Sequence, residues 1–312
     1  MRTRVAILLL ALWGTLGCAS RAVQTEAVIR QPPPVPEYYT VEGVPFIEQD
    51  TGHCGPATLA MAMQWGGRYI TADDLASQVY TPVMKGSLQQ DMITATRRNG
   101  MIAIPVKGFH NLLQEISAGH PVIVFENLAF DWMPRWHYAI VFGYNLRTRQ
   151  VLMHSGPEAF KLWDMDVFER SWMLGDYWGM VVLPSHKLSF TGSELAHAGA
   201  AAGLEQTKNY RAAQEAYTAM LERWPTSLTA YIGLANIAYE KRNYEKAVAL
   251  LRKATELHPN SASAWHNLTI ALGALEKGDE AQASATQAIR HAPKESKDTY
   301  TENLKQWVAG DL

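Results

Sequence analysis

The stretch "DTGHCGPATLAMAM", residues 50–63, places Cys54 where a Gly-Pro pair opens into an apolar, helix-forming run. Pro56 suits the first turn of a helix, because the amide hydrogen that it lacks would have no partner there. A helix N-terminus carries a partial positive charge, which favours a thiolate and lowers the pKa of a thiol. The stretch therefore predicts a helix that begins at a cysteine with a lowered pKa.

The N-terminal segment has the pattern of an export signal. Arg2 and Arg4 precede an apolar run that is too short to span a bilayer. The Thr-Leu-Gly-Cys ending resembles a bacterial lipoprotein box, which implies a signal over residues 1–17 and a lipid on Cys18. Ala19 and Ser20, with no Asp after that cysteine, imply the periplasmic face of the outer membrane if the cell has two membranes. The alternative is a plain secretory signal in which Cys18 is discarded.

Cys54 needs an explanation other than a disulfide. The chain has 2 cysteines, and Cys18 is either lipidated or removed in both interpretations of the signal. A single thiol in an oxidising compartment cannot form an intramolecular disulfide. One interpretation is a buried small side chain, which is common for free cysteines; the other is a nucleophile, which the position at a helix start favours.

Length and composition favour two globular domains. The 312 residues carry a net charge of −2 with no basic cluster, so nucleic acid is not an expected partner. The proline run at residues 32–34 predicts an extended tether over residues 18–40. Beyond it, residues 41–186 mix two predicted helices with four short predicted strands, "HPVIVFENL", "HYAIVFGYN", "RQVLMHS" and "WGMVVLP". This order predicts an α+β domain.

From about Glu194 the chain becomes almost purely helical, with a period of about 34 residues. Residue pairs one period apart are Tyr231 and Trp265, Leu234 and Leu268, Ala247 and Ala281, Ala254 and Ala288, and Pro259 and Pro293. The pattern resembles tetratricopeptide repeats and predicts an all-α domain over residues 194–308. Three helix-turn-helix units are expected at residues 194–226, 228–261 and 262–294, followed by a capping helix.

Acyl transfer by a thiolate requires an imidazole and a donor for the oxyanion. Gln49 stands five residues before Cys54, and His137 stands at the entrance to a predicted strand. Gln-x4-Cys-Gly-Pro-Ala before a helix, then "HYAIVFGY", resembles the C39 family of papain-like cysteine peptidases over residues 41–184. The resemblance implies a papain-like fold, with Cys54 as nucleophile, Gln49 as oxyanion donor and His137 as general base and acid. It implies no cofactor.

The family's third member is an Asp on the strand that follows the histidine. The matching place here reads "VLMHSGP" and contains no acid. His154 is the favoured substitute, with Ser155 and Asn145 as alternatives. Three acids, Asp164, Asp166 and Asp176, could reach the site from a later loop, although solvated loop positions are the favoured interpretation. His53 is interpreted as a polar loop residue, and no metal-ligand spacing occurs.

These patterns lead to an exported, lipid-anchored cysteine peptidase as the first hypothesis. The repeats would recruit a protein partner, and the first helices of the second and third units are expected to expose a peptide-binding set, Asn236, Tyr239, His266 and Asn267. The second hypothesis is a catalytically weak scaffold that grips peptides, which the missing Asp favours. A third, transpeptidation or amide hydrolysis on envelope polymers, uses the same nucleophile.

Overall fold

The computed structural model describes residues 22–48 and 53–308. The predicted export signal, Cys18 and Gln49 lie outside these ranges. Within them, no helix combines the length and the apolar content that a membrane span needs.

Among the described residues, six α-helices belong to the first domain. They are α1 (Val23–Arg30), α2 (Cys54–Trp65), α3 (Ala72–Val79), α4 (Gln89–Arg98), α5 (Phe109–Ser117) and α6 (Met165–Leu174). Helix α2 is the central one, because every residue from Gly55 to Met63 is buried. Helix α3 starts with a reciprocal capping box between Thr71 and Asp74. Cys54 thus opens a helix, as its sequence predicts, and that helix lies inside the core.

The strands of this domain form a seven-stranded antiparallel sheet and a small ribbon. The sheet strands are β1 (Tyr38–Thr40), β4 (Met101–Lys107), β5 (Val122–Asn127), β6 (Trp136–Asn145), β7 (Gln150–Ser155), β8 (Glu158–Asp164) and β9 (Trp178–Pro184), and the ribbon pairs β2 (Tyr80–Thr81) with β3 (Gly86–Ser87). The sheet order is β4-β9-β5-β6-β7-β8, and β1 also pairs with β6. The predicted α+β class is confirmed.

The predicted tether does not stand free of the domain in the part that the structure describes. Helix α1 packs on the domain, with Val28 and Thr25 buried. Glu169 of α6 accepts hydrogen bonds from the backbone amides of Gln24 and Thr25, at 2.8 and 2.6 Å. The expectation of an extended tether is therefore wrong for Val23–Arg30, which form a short helix whose free amides are capped by the distant Glu169.

The second part of the chain consists of helix pairs. They are α7 (Glu194–Gln206) with α8 (Tyr210–Arg223), α9 (Leu228–Glu240) with α10 (Tyr244–Leu257), and α11 (Ala262–Gly273) with α12 (Gly278–His291), followed by α13 (Lys297–Val308). Small residues allow close packing between them: a Cβ at Gly233 would collide with the ring of Tyr217. The predicted helical repeats are confirmed.

The first repeat is built onto the sheet domain. Glu115 of α5 accepts hydrogen bonds from Ser189 and Thr191 in the linker between the two parts. Arg223 of α8 donates to the Ser189 carbonyl at 2.7 Å. Leu204 of α7 belongs to the same buried apolar cluster as the sheet. The linker is therefore held on both sides, and the core is continuous across it.

Candidate active site

The first turn of α2 is held against strand β6. The Thr58 hydroxyl donates a hydrogen bond to the Tyr138 carbonyl at 3.2 Å. The backbone of Tyr138 also hydrogen-bonds the Cys54 sulfur. At Gly55 a Cβ would collide with the side chain of Ser87, so the close approach of α2 to the β2–β3 ribbon requires glycine there. Because Tyr138 follows His137 in the chain, the helix start brings Cys54 beside the segment that carries the histidine.

The environment of Cys54 favours the thiol over the thiolate. Burial raises the pKa of the Cys54 thiol, and hydrogen bonds from the backbone of Tyr138, Gly55 and Cys54 itself oppose that rise without cancelling it. The expectation of a lowered thiol pKa is therefore wrong for the free protein. The helix start is packed against β6, so the cost of desolvating a thiolate outweighs the stabilisation that backbone donors provide.

His137 is the second residue of β6 and is half-buried. Its Nε2 lies 3.1 Å from the hydroxyl oxygen of Ser155, at the end of β7. Burial, followed by the positive charges of Arg135 and Lys161, lowers the pKa of His137 to about 4. The imidazole is neutral at pH 7 and can accept a proton. Ser155, one of the two alternatives to His154, is thus the residue that contacts His137.

His154 does not contact His137, which corrects the favoured expectation for the third member. Successive side chains of a strand point to opposite faces, so Ser155 and His154 of β7 face opposite ways. The Nε2 of His154 lies 3.3 Å from the Val44 carbonyl, and its Nδ1 accepts the Phe160 amide at 3.1 Å. Its ring is fully buried, and burial lowers its pKa. His154 is a satisfied core residue.

The other candidates for a third member are engaged elsewhere. Asn145 lies at the far end of β6 from His137, where its side-chain oxygen accepts two backbone amides of the following turn. Asp164 caps the N-terminus of α6, Asp166 pairs with an arginine, and Asp176 pairs with a lysine. The ring of His53 packs on Tyr80 with centroids 5.0 Å apart, which agrees with its interpretation as a loop residue.

Sequence reasoning missed Glu126, a fully buried carboxyl group on β5. Its Cα lies directly opposite that of His137 in the β5–β6 register. The Ser171 hydroxyl donates to Oε2 at 2.8 Å, and Oε1 is buried with no hydrogen-bond partner among the described residues. Burial raises the pKa of Glu126 to about 7. A single acid inside the apolar run "PVIVFEN" was the signal that could have revealed it.

The repeats form a groove of about 620 Å³ that holds three of the four predicted peptide-binding residues, Asn236, Tyr239 and Asn267. The Asn267 side-chain amide donates to Asn236 at 3.1 Å, and the Asn236 amide donates to Glu205 at 3.3 Å. Asn267, Asn236 and Glu205 thus form a polar row along the groove, and Ile232 and Ile270 contribute apolar surface to its walls.

His266 does not line this groove. Its ring packs edge-on against Tyr300 of the capping helix α13, with centroids 5.4 Å apart. Burial lowers its pKa, and its Nδ1 is buried with no hydrogen-bond partner among the described residues. The prediction of a peptide contact for His266 is corrected, because its face of α11 is covered by α13.

In residues 22–48 and 53–308, no three potential metal-binding side chains of His, Cys, Asp or Glu come together. Asp164, His154 and Glu115 instead make hydrogen bonds within the protein.

Comparisons with known proteins divide the chain in the same way. The family model described as "Peptidase_C39 like family" matches residues 41–174, and a tetratricopeptide repeat model matches residues 204–272. The comparison with curated proteins gives no match.

Two solved structures are similar in part. One is described as a C39-like peptidase from Bacillus anthracis, with 17% identity, a TM-score of 0.41, and coverage of 49% of this chain and 100% of that one. The other is YrrB, described as a tetratricopeptide repeat protein with an unusual peptide-binding site, with 20% identity, a TM-score of 0.34, and coverage of 38% of this chain and 60% of that one. Residues 41–174 are thus similar to the C39-like peptidase family, and residues 204–272 are similar to tetratricopeptide repeats.

Proposed function

We propose that this protein is a cysteine peptidase that cleaves peptide bonds of a protein of the cell envelope or the secreted fraction. The observation that carries the proposal is the attachment of the Cys54 helix start to Tyr138, the residue next to His137. A nucleophile and a general base must come within reach of one carbonyl carbon. This attachment supports the proposal because it holds the start of the Cys54 helix against the backbone next to His137. The C39-like match over residues 41–174 supports the same chemistry.

The proposed reaction begins with a neutral thiol and a neutral imidazole. Because Nε2 of His137 faces Ser155, Nδ1 is the ring nitrogen that accepts the thiol proton as the Cys54 sulfur attacks the carbonyl carbon. The Cys54 amide, with Gln49 as the expected second donor, stabilises the oxyanion. The imidazolium of His137 then protonates the leaving amine, and water hydrolyses the acyl-enzyme. Thiolate thus forms during attack, which suits a site that favours the thiol when it is empty.

Exposed apolar side chains lie in the chain segments next to this site and indicate the class of substrate. One group lies between α3 and α4, in the chain segment that includes Ser87, and the other precedes His137. The two groups are Val83, Met84 and Leu88, and Phe130, Trp132, Met133 and Trp136. Exposed apolar clusters of this kind mark binding surfaces. We expect the enzyme to prefer substrates with large apolar side chains beside the scissile bond.

The repeats would bind a peptide segment of the substrate or of a partner protein. The groove offers side-chain amides at Asn236 and Asn267, which can pair with the backbone of an extended peptide. Tyr239 adds an aromatic wall with a polar tip. The expected peptide contacts are therefore Asn236, Tyr239 and Asn267.

Export and a lipid on Cys18 complete the proposal, with the protein on the periplasmic face of the outer membrane. Residues 19–21 alone separate Cys18 from Ala22, where the described chain begins. Since α1 packs on the domain, a lipid on Cys18 would hold the peptidase domain close to the bilayer. Labelling of the expressed protein with an alkyne fatty acid should succeed for the parent and fail for Cys18→Ala.

The alternative is a scaffold that binds peptides without cleaving them. The raised thiol pKa of Cys54 favours it, and so does the hydrogen-bond partner of His137 among the described residues, which is the uncharged Ser155. Both functions are tested by incubating a proteome-derived peptide library with the parent and with Cys54→Ala, and reading new N-termini by mass spectrometry. A peptidase gives new termini with the parent alone. A scaffold gives the same termini in both samples, and that result would overturn the proposal.

A further inference from the structure

Glu126 and His137 occupy directly opposed positions on neighbouring antiparallel strands, β5 and β6. Side chains at such positions lie on the same face, with Cβ atoms about 4.5–5.5 Å apart. Ser155 approaches the other side of the imidazole from β7. His137 therefore lies between a hydroxyl group and a carboxyl group, although no acid stands where the C39 pattern usually carries one.

Burial of the Glu126 carboxyl group lowers the stability of the fold. It is fully buried, and one of its oxygens has no hydrogen-bond partner among the described residues. The other oxygen, Oε2, accepts from the Ser171 hydroxyl group. The single hydrogen of that hydroxyl is shared with the Phe168 carbonyl, because both acceptors lie 2.8 Å from the Ser171 hydroxyl oxygen. Buried polar groups are nearly always satisfied, and a half-satisfied one in a core calls for a functional explanation.

In the described part of the chain, few charged groups act on Glu126 and His137. Lys161 of β8 acts electrostatically on both Glu126 and His137, and Arg135 acts on His137. Lys161 is itself paired with Glu158 at 2.8 Å. From α6 the neighbour of Glu126 is the neutral Ser171. An ionised Glu126 is thus a negative charge that the β5–β6 register places on the same face as His137.

We propose that Glu126 is a positioning residue that supplies, across the strand pair, the negative charge that favours the imidazolium form of His137. The inference rests on the proposed peptidase function. The thiol proton of Cys54 moves to Nδ1 of His137, and Glu126 remains a carboxylate that stabilises the resulting cation without taking the proton. Ser155 orients the ring, and Glu126 provides the charge. The role that one Asp fills in the C39 pattern is divided between two residues.

The test is the pH dependence of Cys54 alkylation by iodoacetamide in the full chain, which requires no substrate. Glu126 becomes charged near pH 7, so the parent should show a rise in rate across that pH. Glu126→Gln keeps the shape and should lose this step, with a rate at pH 8 roughly tenfold lower, equivalent to one pKa unit. Superimposable profiles of parent and variant would overturn the proposal.

Ser171→Ala keeps the inference testable if Glu126→Gln fails to fold. Among the described residues Ser171 is the one hydrogen-bond donor to Glu126, so its loss makes ionisation of Glu126 harder and the step should move to higher pH. An unmoved step in this variant would contradict the role of Glu126. If the parent cleaves no peptide while the step disappears in Glu126→Gln, the charge coupling stands and the peptidase proposal falls.

Discussion

The Ser155 hydroxyl oxygen lies 3.1 Å from Nε2 of His137, at the point where β7 ends beside β6. A hydroxyl group can fix the orientation of an imidazole, yet it brings no charge to stabilise an imidazolium. Ser155 can therefore orient the general base, but the charge that stabilises the imidazolium has to come from another residue.

Ser155→Ala should lower the rate of peptide cleavage about fivefold, because it removes one hydrogen bond with a net value of about 1 kcal/mol. Ser155→Asp should increase the rate of Cys54 alkylation at neutral pH, since a carboxylate next to His137 raises the pKa of that imidazole. The measurements are steady-state cleavage for the first variant and alkylation kinetics for the second. A loss of folding in Ser155→Ala would contradict the assignment of an orienting role.

The two histidines on opposite faces should respond differently to substitution. His137→Ala should reduce cleavage by about 10²–10⁴-fold, as expected for a general acid and base, with unfolding midpoints close to the parent. His154→Ala should instead lower the free energy of unfolding by about 2–4 kcal/mol, because it leaves a cavity and two unpaired backbone groups. Urea unfolding and cleavage assays on both variants check this. Equal losses of activity from folded protein in both would show that the assignment is wrong.

Glu115 should make the junction of sheet domain and repeats sensitive to acid. Burial alone would raise its pKa, but hydrogen bonds from His120, Ser189 and Thr191 bring the pKa of Glu115 down to about 2. A depressed carboxyl pKa stabilises the fold above the unfolded-state value of 4.5, and this stability is lost as the pH falls from about 4.5 to about 2. The contribution is about 3 kcal/mol at neutral pH.

Glu115→Gln should therefore remove most of that pH dependence and split thermal unfolding into two transitions. The exposed Glu295→Gln is the matched control and should unfold like the parent. Calorimetry at pH 7 and pH 3 gives both quantities. A single transition with an unchanged midpoint in Glu115→Gln would contradict the view that Glu115 joins the two parts.

The groove of the repeats should contribute to binding and not to the chemical step. Asn267→Ala should weaken binding of a fluorescein-labelled peptide substrate to the Cys54→Ala background about fivefold, through the loss of one hydrogen bond. Asn260→Ala, at an exposed turn outside the groove, should bind like its parent. Fluorescence anisotropy measures both. Equal weakening by the two substitutions would exclude the groove as the peptide site.

Trp132 should contribute to the preference for apolar substrates. Trp132→Ala should lower kcat/KM roughly 5- to 30-fold for peptides with Leu or Phe beside the scissile bond. This factor corresponds to a loss of about 1–2 kcal/mol of apolar binding free energy. Tyr69→Ala is the control, because Tyr69 is 81% exposed, close to the 78% of Trp132, but follows the far end of α2 from Cys54. The same loss in both variants would remove the claim of a specific contact.

The sequence predicted those elements whose signals are local. The helix at Cys54 follows from Pro56 and the apolar run after it, and the strand at His137 follows from its β-branched and aromatic residues. The helix pairs follow from pairs such as Pro259 and Pro293, one repeat apart. Each of these signals can be identified within a few residues, or at a fixed spacing.

The choice between His154 and Ser155 depended on register, which the sequence does not contain. The β6–β7 register shifts between Val141 and Gly143. Counting residues from the turn therefore does not tell which side chains of β7 lie on the same face as His137. Helix α1 was missed for a related reason, because its free amides are satisfied by Glu169, more than a hundred residues away. The pKa of Cys54 likewise depends on burial against β6, which is a property of the tertiary structure.

The most direct test of Cys54 as the nucleophile is the mass of the peptide that contains Cys54, measured during turnover. A peptide identified as a substrate is mixed with the parent, quenched in acid and analysed by peptide mapping. The account predicts a thioester on Cys54 with the mass of the N-terminal product less water, and no cleavage by Cys54→Ala. Hydrolysis of the peptide while Cys54 stays unmodified, with activity retained in Cys54→Ala, would contradict it.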